Sequence, residues 1–286
     1  MTGTVLRDLI NGPDLVIAPG VYDGVSAALI QNSAFPVAYM SGAAVSASAV
    51  GLPDIGLATM TELVASAAVI RRCLSKPLIA DADTGFGDVT NVFRTVREYQ
   101  RVGVSAVQLE DQVFPKRCGH LEEKSVVDVG EFTAKIEAAC DARTDALIIA
   151  RTDARAVNGM DDALRRAARY VTAGADVIFV EAPESLDEIA RIPAEVDAPV
   201  LFNLVPHGKT PPVSLEQLRD FGYALVIAPG AGVGGAVRGI TDALAALARH
   251  DTQGAGLPSP RRFFDALGLP FWERIRGAYA GSAADA

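Results

Sequence analysis

Short apolar, β-branched runs alternate with helix-like stretches along almost the whole of this chain. Eight of the runs read as buried strands: Leu15 to Ala18, Val37 to Met40, Pro77 to Ala80, Ala106 to Leu109, Ala146 to Ala150, Val177 to Val180, Val200 to Phe202 and Ala224 to Ala228. Helical stretches separate them, among them Asp23 to Asn32, Thr61 to Cys73, Val89 to Val102 and Met160 to Ala173. Ser185 before Leu-Asp-Glu and Ser214 before Leu-Glu-Gln are helix-capping arrangements. Glycine in Arg101-Val-Gly-Val and Ala173-Gly-Ala-Asp stops a helix where the next strand begins. Strict alternation requires a parallel sheet covered by helices, and eight units close a (β/α)8 barrel. An open doubly wound sheet is the competing arrangement, but no GxGxxG follows the first run and no compositional break divides the chain. The predicted fold is therefore α/β: a TIM barrel over residues 1–250 followed by a C-terminal helical extension over 251–286.

The extension opens on a linker, Thr252-Gln-Gly-Ala-Gly-Leu-Pro-Ser-Pro, then has a short helix near Arg261 to Leu267 and another containing Trp272. Phe263, Phe264, Phe271 and Trp272 would form an exposed apolar patch there, and a subunit interface is the expected cover. The net charge of -9 excludes nucleic acid and anionic membrane surfaces as partners, because both call for a basic patch. An anionic small molecule still fits if a metal and a few arginines reverse the field locally. Cys73, Cys118 and Cys140 are widely spaced, which argues against a disulfide framework or a zinc site. With neither a signal-like N-terminus nor an apolar run of about 18 residues, the expectation is a soluble cytoplasmic protein.

In a parallel barrel, chemistry gathers at the C-terminal ends of the strands. Read in order, those ends are Tyr39-Met-Ser41-Gly42, Asp81 with Asp83, Glu110-Asp111, Arg151-Thr-Asp153, Glu181 and Asn203. Asp81 and Asp83 are two residues apart, so they point the same way, and like charges that close repel unless a cation lies between them. With Glu110 they form a hard oxygen set suited to Mg²⁺ or Mn²⁺, although acidic residues also cap turns after strands. Arg151 suits a bidentate grip on a carboxylate, and the Ser41-Gly42 turn offers hydroxyl and backbone donors to a second anionic group.

The longest loop follows the fourth strand. Its Lys116-Arg-Cys-Gly-His120 places a thiol between Arg117 and His120, a setting that lowers a thiol pKa and readies it for proton transfer. By composition alone the same cysteine reads as a surface thiol in a charged loop. Gly119 lets the loop bend and close over a ligand. Gly230-Ala-Gly-Val-Gly-Gly, after the eighth strand, either touches substrate or makes a tight turn. His207 either lines the mouth or is an exposed loop histidine.

Asp81-Ala-Asp-Thr-Gly-Phe-Gly, Leu109-Glu-Asp-Gln, Lys116-Arg-Cys-Gly-His, Ala150-Arg-Thr-Asp-Ala and Gly51-Leu-Pro-Asp-Ile-Gly together resemble the isocitrate lyase and phosphoenolpyruvate mutase superfamily, over about residues 5 to 250. The resemblance implies a Mg²⁺-dependent enzyme that acts on α-oxycarboxylates through an enolate-like intermediate. It also implies a tetrameric barrel whose last helices are exchanged between paired subunits. Carried over by residue, it makes Asp81, Asp83 and Glu110 the metal set, some through water. Ser41, Gly42 and Arg151 would hold the α-carboxylate and oxygen of the substrate, with Tyr39 beside them. Asp54 would stand near the reacting carbon, Glu181 and Asn203 would position substrate, and Cys118, with His120 in the same loop, would deliver the proton that quenches the carbanion. Two departures matter. Leu204-Val205-Pro206 stands where isocitrate lyases place hydroxyls for a third carboxylate, and Leu121-Glu122-Glu123 replaces the basic and amide residues of methylisocitrate enzymes. Both favour a smaller dicarboxylate, a substituted malate or oxaloacetate. Carbon–carbon cleavage is the leading expectation, with oxaloacetate hydrolysis or decarboxylation and carbon–phosphorus mutase chemistry as alternatives.

Overall fold

The computed structural model describes residues 2–119, 121–251 and 258–280. In order, the elements are α1 (Thr2–Ile10), β1 (Val16–Val21), α2 (Gly24–Gln31), β2 (Ala38–Met40), α3 (Gly42–Val45) running into a π-helical turn (Ser46–Val50), α4 (Met60–Cys73), β3 (Leu78–Asp81), α5 (Val89–Arg101), β4 (Ala106–Glu110), α6 (Val129–Ala142), β5 (Leu147–Thr152), α7 (Ala154–Asn158), α8 (Met160–Thr172), β6 (Val177–Val180), α9 (Leu186–Glu195), β7 (Val200–Asn203), α10 (Leu215–Phe221), β8 (Leu225–Ala228), α11 (Gly230–Ala248), α12 (Pro260–Ala266) and α13 (Leu269–Ala280). Each strand pairs in parallel with the next, and β8 returns to β1 to close the barrel. All eight expected strands are present. Several run one to three residues past their apolar stretch, so that the polar residues Asp81, Glu110, Arg151 and Asn203 belong to the strands themselves.

Strand parity decides which side chains enter the barrel. Ile79, Ile149, Phe179 and Leu201 pack together in the lumen with Tyr39, whereas Leu78, Ile148, Ile178 and Phe202 pack outward against the helices. With both faces buried, the strands read as near-continuous apolar runs. Counting on by two from the lumen residues reaches Ser41, Asp81, Arg151, Glu181 and Asn203, and counting on by four from Ala106 reaches Glu110. The repeat that fills the core thus delivers the polar set to one mouth.

The opposite end is plugged by α1, which the apolar runs did not announce. Leu6 and Ile10 pack into the lumen cluster, each contributing about 1.5–3 kcal/mol by burial. The helix is fastened by Gly3 N to Asp145 Oδ2 (2.8 Å) and by Arg7 Nη1 to Asp176 Oδ1 (2.7 Å). The glycine-rich stretch from Gly230 is no tight turn but the start of a 19-residue helix. Its glycines permit close packing on β1: a Cβ on Gly232 would lie 2.6 Å from Gly20 O, and one on Gly20 only 2.1 Å from Pro229 O. Two helices follow the linker region, as expected, and the linker itself, 252–257, lies outside the described residues.

Candidate active site

The mouth is built from the strand ends inward. Asp81 Oδ2 accepts from Gly42 N (3.3 Å), and Oδ1 accepts from Asp83 N (3.1 Å) and Gln108 Nε2 (3.4 Å). A side chain at 42 would bring its Cβ to 2.8 Å from Asp81 Oδ2, so this position needs glycine. The Gly42 amide expected to face a ligand is therefore already engaged by Asp81. Ser41 Oγ accepts from Ala44 N (3.2 Å) to cap α3, which leaves its hydroxyl proton to donate. Asp83 adopts φ +48°, a left-handed conformation that aspartate tolerates better than most residues. Tyr39 OH accepts from Gln108 Nε2 (3.1 Å), and burial, then the Asp81 charge, pushes its phenol well up, so it keeps its proton.

Arg151 is the hub. Its Nε and Nη2 grip Asp153 at 2.9 and 3.1 Å, its Nη1 lies 3.2 Å from Glu110 Oε2, and its guanidinium stacks on Phe179 with 5.2 Å to the ring centroid. The fork expected to face a substrate carboxylate is thus turned onto Asp153. Burial would raise the Asp153 carboxyl, but Arg151 and Lys124 together hold it below its usual value. Asn203 Nδ2 donates to Glu181 at 3.2–3.3 Å. Lys116, 3% exposed, pairs with Asp54 and lies 2.8 Å from Asp83 Oδ1.

Burial dominates the Asp83 and Glu110 carboxyls, raising the first to about 6 and the second well above its usual range despite nearby Lys116 and Arg151. Among the described residues, Asp83 Oδ1 and both Glu110 oxygens make no hydrogen bond, although Lys116 and Arg151 stand within ion-pair range of them. Asn203 Oδ1 is likewise without a hydrogen bond. Buried carboxylate oxygens with open lone pairs, at a mouth where acids outnumber bases, fit a hard divalent cation. No three acidic, histidine or cysteine side chains among the described residues converge to grip an ion directly. The fit is therefore to a hydrated ion held partly through water, the way Mg²⁺ is usually bound.

Over this floor lies the loop 112–127. An antiparallel bridge between Gln112 and Val126 closes its base, and the Gln112 amide exchanges hydrogen bonds with Arg117 N (2.9 Å) and O (2.7 Å). Cys118 N donates to Asp54 O (3.2 Å), and Leu121 N to Cys118 O (2.9 Å), which makes a turn with Cys118 at its start. Of the bases expected beside the thiol, Arg117 reaches Glu123 at 3.3 Å and Lys116 is drawn to Asp54 and Asp83; His120 lies outside the described residues. Glu122 pairs with Lys209 at 2.7 Å, joining this loop to the one after β7.

Loop and floor enclose a cavity of about 250 Å³. Tyr39, Ser41, Asp54, Asp81, Lys116, Arg151, Glu181, Asn203 and Cys118 line it, and Asp83 and Glu110 stand within ion-pair range of the lining Lys116 and Arg151. Apolar lining comes from Ala43, Ala44, Ala47, Phe179, Val205 and Val233, with Pro229 and Gly230. His207 lines a separate cleft beside Pro206 and Thr210. A larger cavity, about 690 Å³, lies to one side against α6, but no strand-end carboxylate lines it. The reading of strand ends missed Gln108, Lys124 and the bracing role of Asp153. Gln108 was recoverable, because it falls on the parity that links Ala106 to Glu110. Lys124 was not, since its loop has no periodicity.

Known proteins match this arrangement over nearly its whole length. The family model described as phosphoenolpyruvate phosphomutase matches residues 6–248. A 2-methylisocitrate lyase of Aeropyrum pernix is 49% identical over 227 residues, covering 79% of this chain and 73% of its own. A 2,3-dimethylmalate lyase of Eubacterium barkeri is 43% identical over 277 residues, 96% of either chain. Among solved structures, oxaloacetate acetylhydrolase in complex with the inhibitor 3,3-difluorooxalacetate superposes with a TM-score of 0.92 at 35% identity, covering 98% of this chain and 97% of that one. The family model over residues 6–248 and these relatives, together with the closed eight-stranded barrel, place the chain in the phosphoenolpyruvate mutase and isocitrate lyase superfamily.

Proposed function

We propose that this enzyme cleaves a carbon–carbon bond in a 2-hydroxy dicarboxylate that carries a small alkyl substituent, by a Mg²⁺-dependent retro-aldol reaction. The observation that carries this reading is the mixed lining of the cavity, where hydrogen-bond donors, acids and Cys118 share the walls with alanine and valine. Against Val205 and Val233 a third carboxylate would lose its hydration, and the lining cations Lys116 and Arg151 are already engaged by Asp54, Asp83 and Asp153. A methyl group would gain about 0.8 kcal/mol by burial at the same place.

Asp81, Asp83 and Glu110 would hold the cation, mostly through water, and when bound it would stabilise the oxyanion that develops beside the substrate carboxylate. Ser41 and Tyr39 donate to the substrate carboxylate, and the Arg151 edge not taken by Asp153 orients it. The 2-hydroxyl gives its proton to Asp54 and becomes a carbonyl as the adjacent C–C bond breaks. The electron pair of that bond passes to the leaving carbon as an enolate of the second carboxylate, and the Cys118 thiol protonates it. Glu181 and Asn203 position the leaving fragment. A reducing compartment suits this chemistry, because it keeps Cys118 a thiol.

Oxaloacetate hydrolysis is the second reading, favoured by the likeness to oxaloacetate acetylhydrolase. The test is a proton NMR screen of 2,3-dimethylmalate, 2-methylmalate, isocitrate, 2-methylisocitrate and oxaloacetate, with Mg²⁺ and with chelator. Metal-dependent release of two carboxylate fragments from an alkyl-substituted malate is expected. Turnover of oxaloacetate alone would replace this reading with the second.

We infer further that α11 and residues 251–286 serve subunit packing in a homotetramer, with the tail exchanged between paired subunits. Val237, Ile240, Leu244 and Leu247 recur on one side of α11, each about 60% exposed, and Phe264, Phe271, Trp272 and Tyr279 extend the apolar surface.

A further inference from the structure

We propose that Lys124 is a positioning residue that docks the thiol-bearing turn onto the barrel mouth. Its side chain is only 2% exposed, and its ammonium donates to Gly119 O and to Asp153 Oδ1, the latter at 2.8 Å. Asp153, whose side chain is fully buried, holds Arg151 through two hydrogen bonds, and its own backbone N–H is tied to Asp111 Oδ1 at 2.9 Å. One cation therefore joins the backbone next to Cys118 to the carboxylate that aims Arg151. Two other bonds of this turn, Cys118 N to Asp54 O and Leu121 N to Cys118 O, are neutral, at 3.2 and 2.9 Å. A charge-assisted bond from a buried ammonium is about twice as strong as a neutral one. Lys124 can hold Gly119 O and Asp153 Oδ1 at once only with the turn down on the barrel, so it stabilises the docked state over any lifted one.

The catalytic meaning of this contact rests on Cys118 being the proton donor, but the docking itself can be read without substrate. Full-length wild type, Lys124→Met and Lys124→Gln are treated with iodoacetamide, and each cysteine is followed by peptide mass spectrometry. Cys73 and Cys140, far along the chain, report general loosening. In Lys124→Met the Cys118 rate is expected to rise about tenfold, with Cys73 and Cys140 unchanged. Lys124→Gln, which keeps an N–H donor without the charge, is expected between the two and serves alone if the methionine variant does not fold. In turnover assays, kcat is expected to fall with little change in KM. Wild-type alkylation of Cys118 in the variants, or equal acceleration at all three cysteines, overturns the proposal. Failure of wild type to cleave any hydroxy acid would sink the functional reading and leave the alkylation result intact.

Discussion

Replacing Gly119 with alanine tests whether the thiol-bearing turn rests directly on the catalytic floor. The new Cβ would lie 2.5 Å from Arg151 Nη2, 2.5 Å from Glu181 Oε1 and 2.6 Å from Glu181 Cδ. Favourable non-bonded contact begins near 3.5 Å, so turn and floor must separate by about 1 Å. At a surface the ends of Arg and Glu would swing aside. Here Arg151 is fixed by Asp153 and Glu181 is bonded by Asn203, so movement breaks hydrogen bonds. Residue 119 is not among the positive-φ positions, so alanine adds no backbone strain, and the whole effect falls on docking. Overpacking of this kind costs about 1–3 kcal/mol, roughly a five- to 150-fold loss of the docked population. Turnover is expected to fall by that factor while the thermal midpoint stays within about 2 °C, because the loop can lift without opening the barrel. Steady-state kinetics and calorimetry measure both. Undiminished turnover would refute the reasoning, and so would a midpoint lowered by about 5 °C or more, since the turn would then be part of the core.

Beneath the site, Arg166 serves Asp162 Oδ2 (3.0 Å) and Asp111 Oδ2 (3.3 Å), and Tyr170 OH donates to Asp111 at 2.9 Å. Arg166→Met leaves the buried Asp111 without its cation, although Asp162 keeps Arg165, so about 3 kcal/mol and roughly 6–12 °C of thermal midpoint should be lost in calorimetry. Asp83 titrates in the metal-free protein near 6, above the ordinary carboxyl value, so the folded state binds the extra proton. Its contribution therefore lowers stability as pH rises from about 4 to 6 and gives no further change above that. Mg²⁺ requires the ionised form, so the stabilisation it produces in a thermal-shift assay should grow as pH rises through 6. A charge in the exposed tail, Trp272→Asp, should shift the sedimentation coefficient to a smaller species without altering far-ultraviolet circular dichroism.

The barrel was legible because its evidence is local and repeated. The strands are short apolar runs, several helices begin at a cap such as Ser185 or Ser214, and parity then carries Asp81, Arg151 and Glu181 to the same mouth. What stayed hidden depends on contacts distant in sequence. Helix α1 earns its place only against a lumen that exists after the barrel closes. Gly230 to Gly235 reads as a tight turn or a substrate contact, not as a helix, because glycine disfavours helix, yet the close approach to Gly20 needs residues without side chains. Lys116 reads beside Cys118 as a base that tunes the thiol, but its ammonium is drawn across 62 residues of chain to Asp54. Arg151, legible as an anion binder, has half its fork taken by a neighbour two residues away.

Carbon–carbon cleavage with Cys118 as proton donor is tested most directly by turnover of the alkyl-substituted malate in D2O by wild type and Cys118→Ser, followed by NMR. Wild type is expected to place one deuterium on the released fragment, and the serine variant to fall by about a hundredfold or more with the Mg²⁺-dependent thermal shift unchanged. Cleavage by Cys118→Ser at close to the wild-type rate would contradict the mechanism.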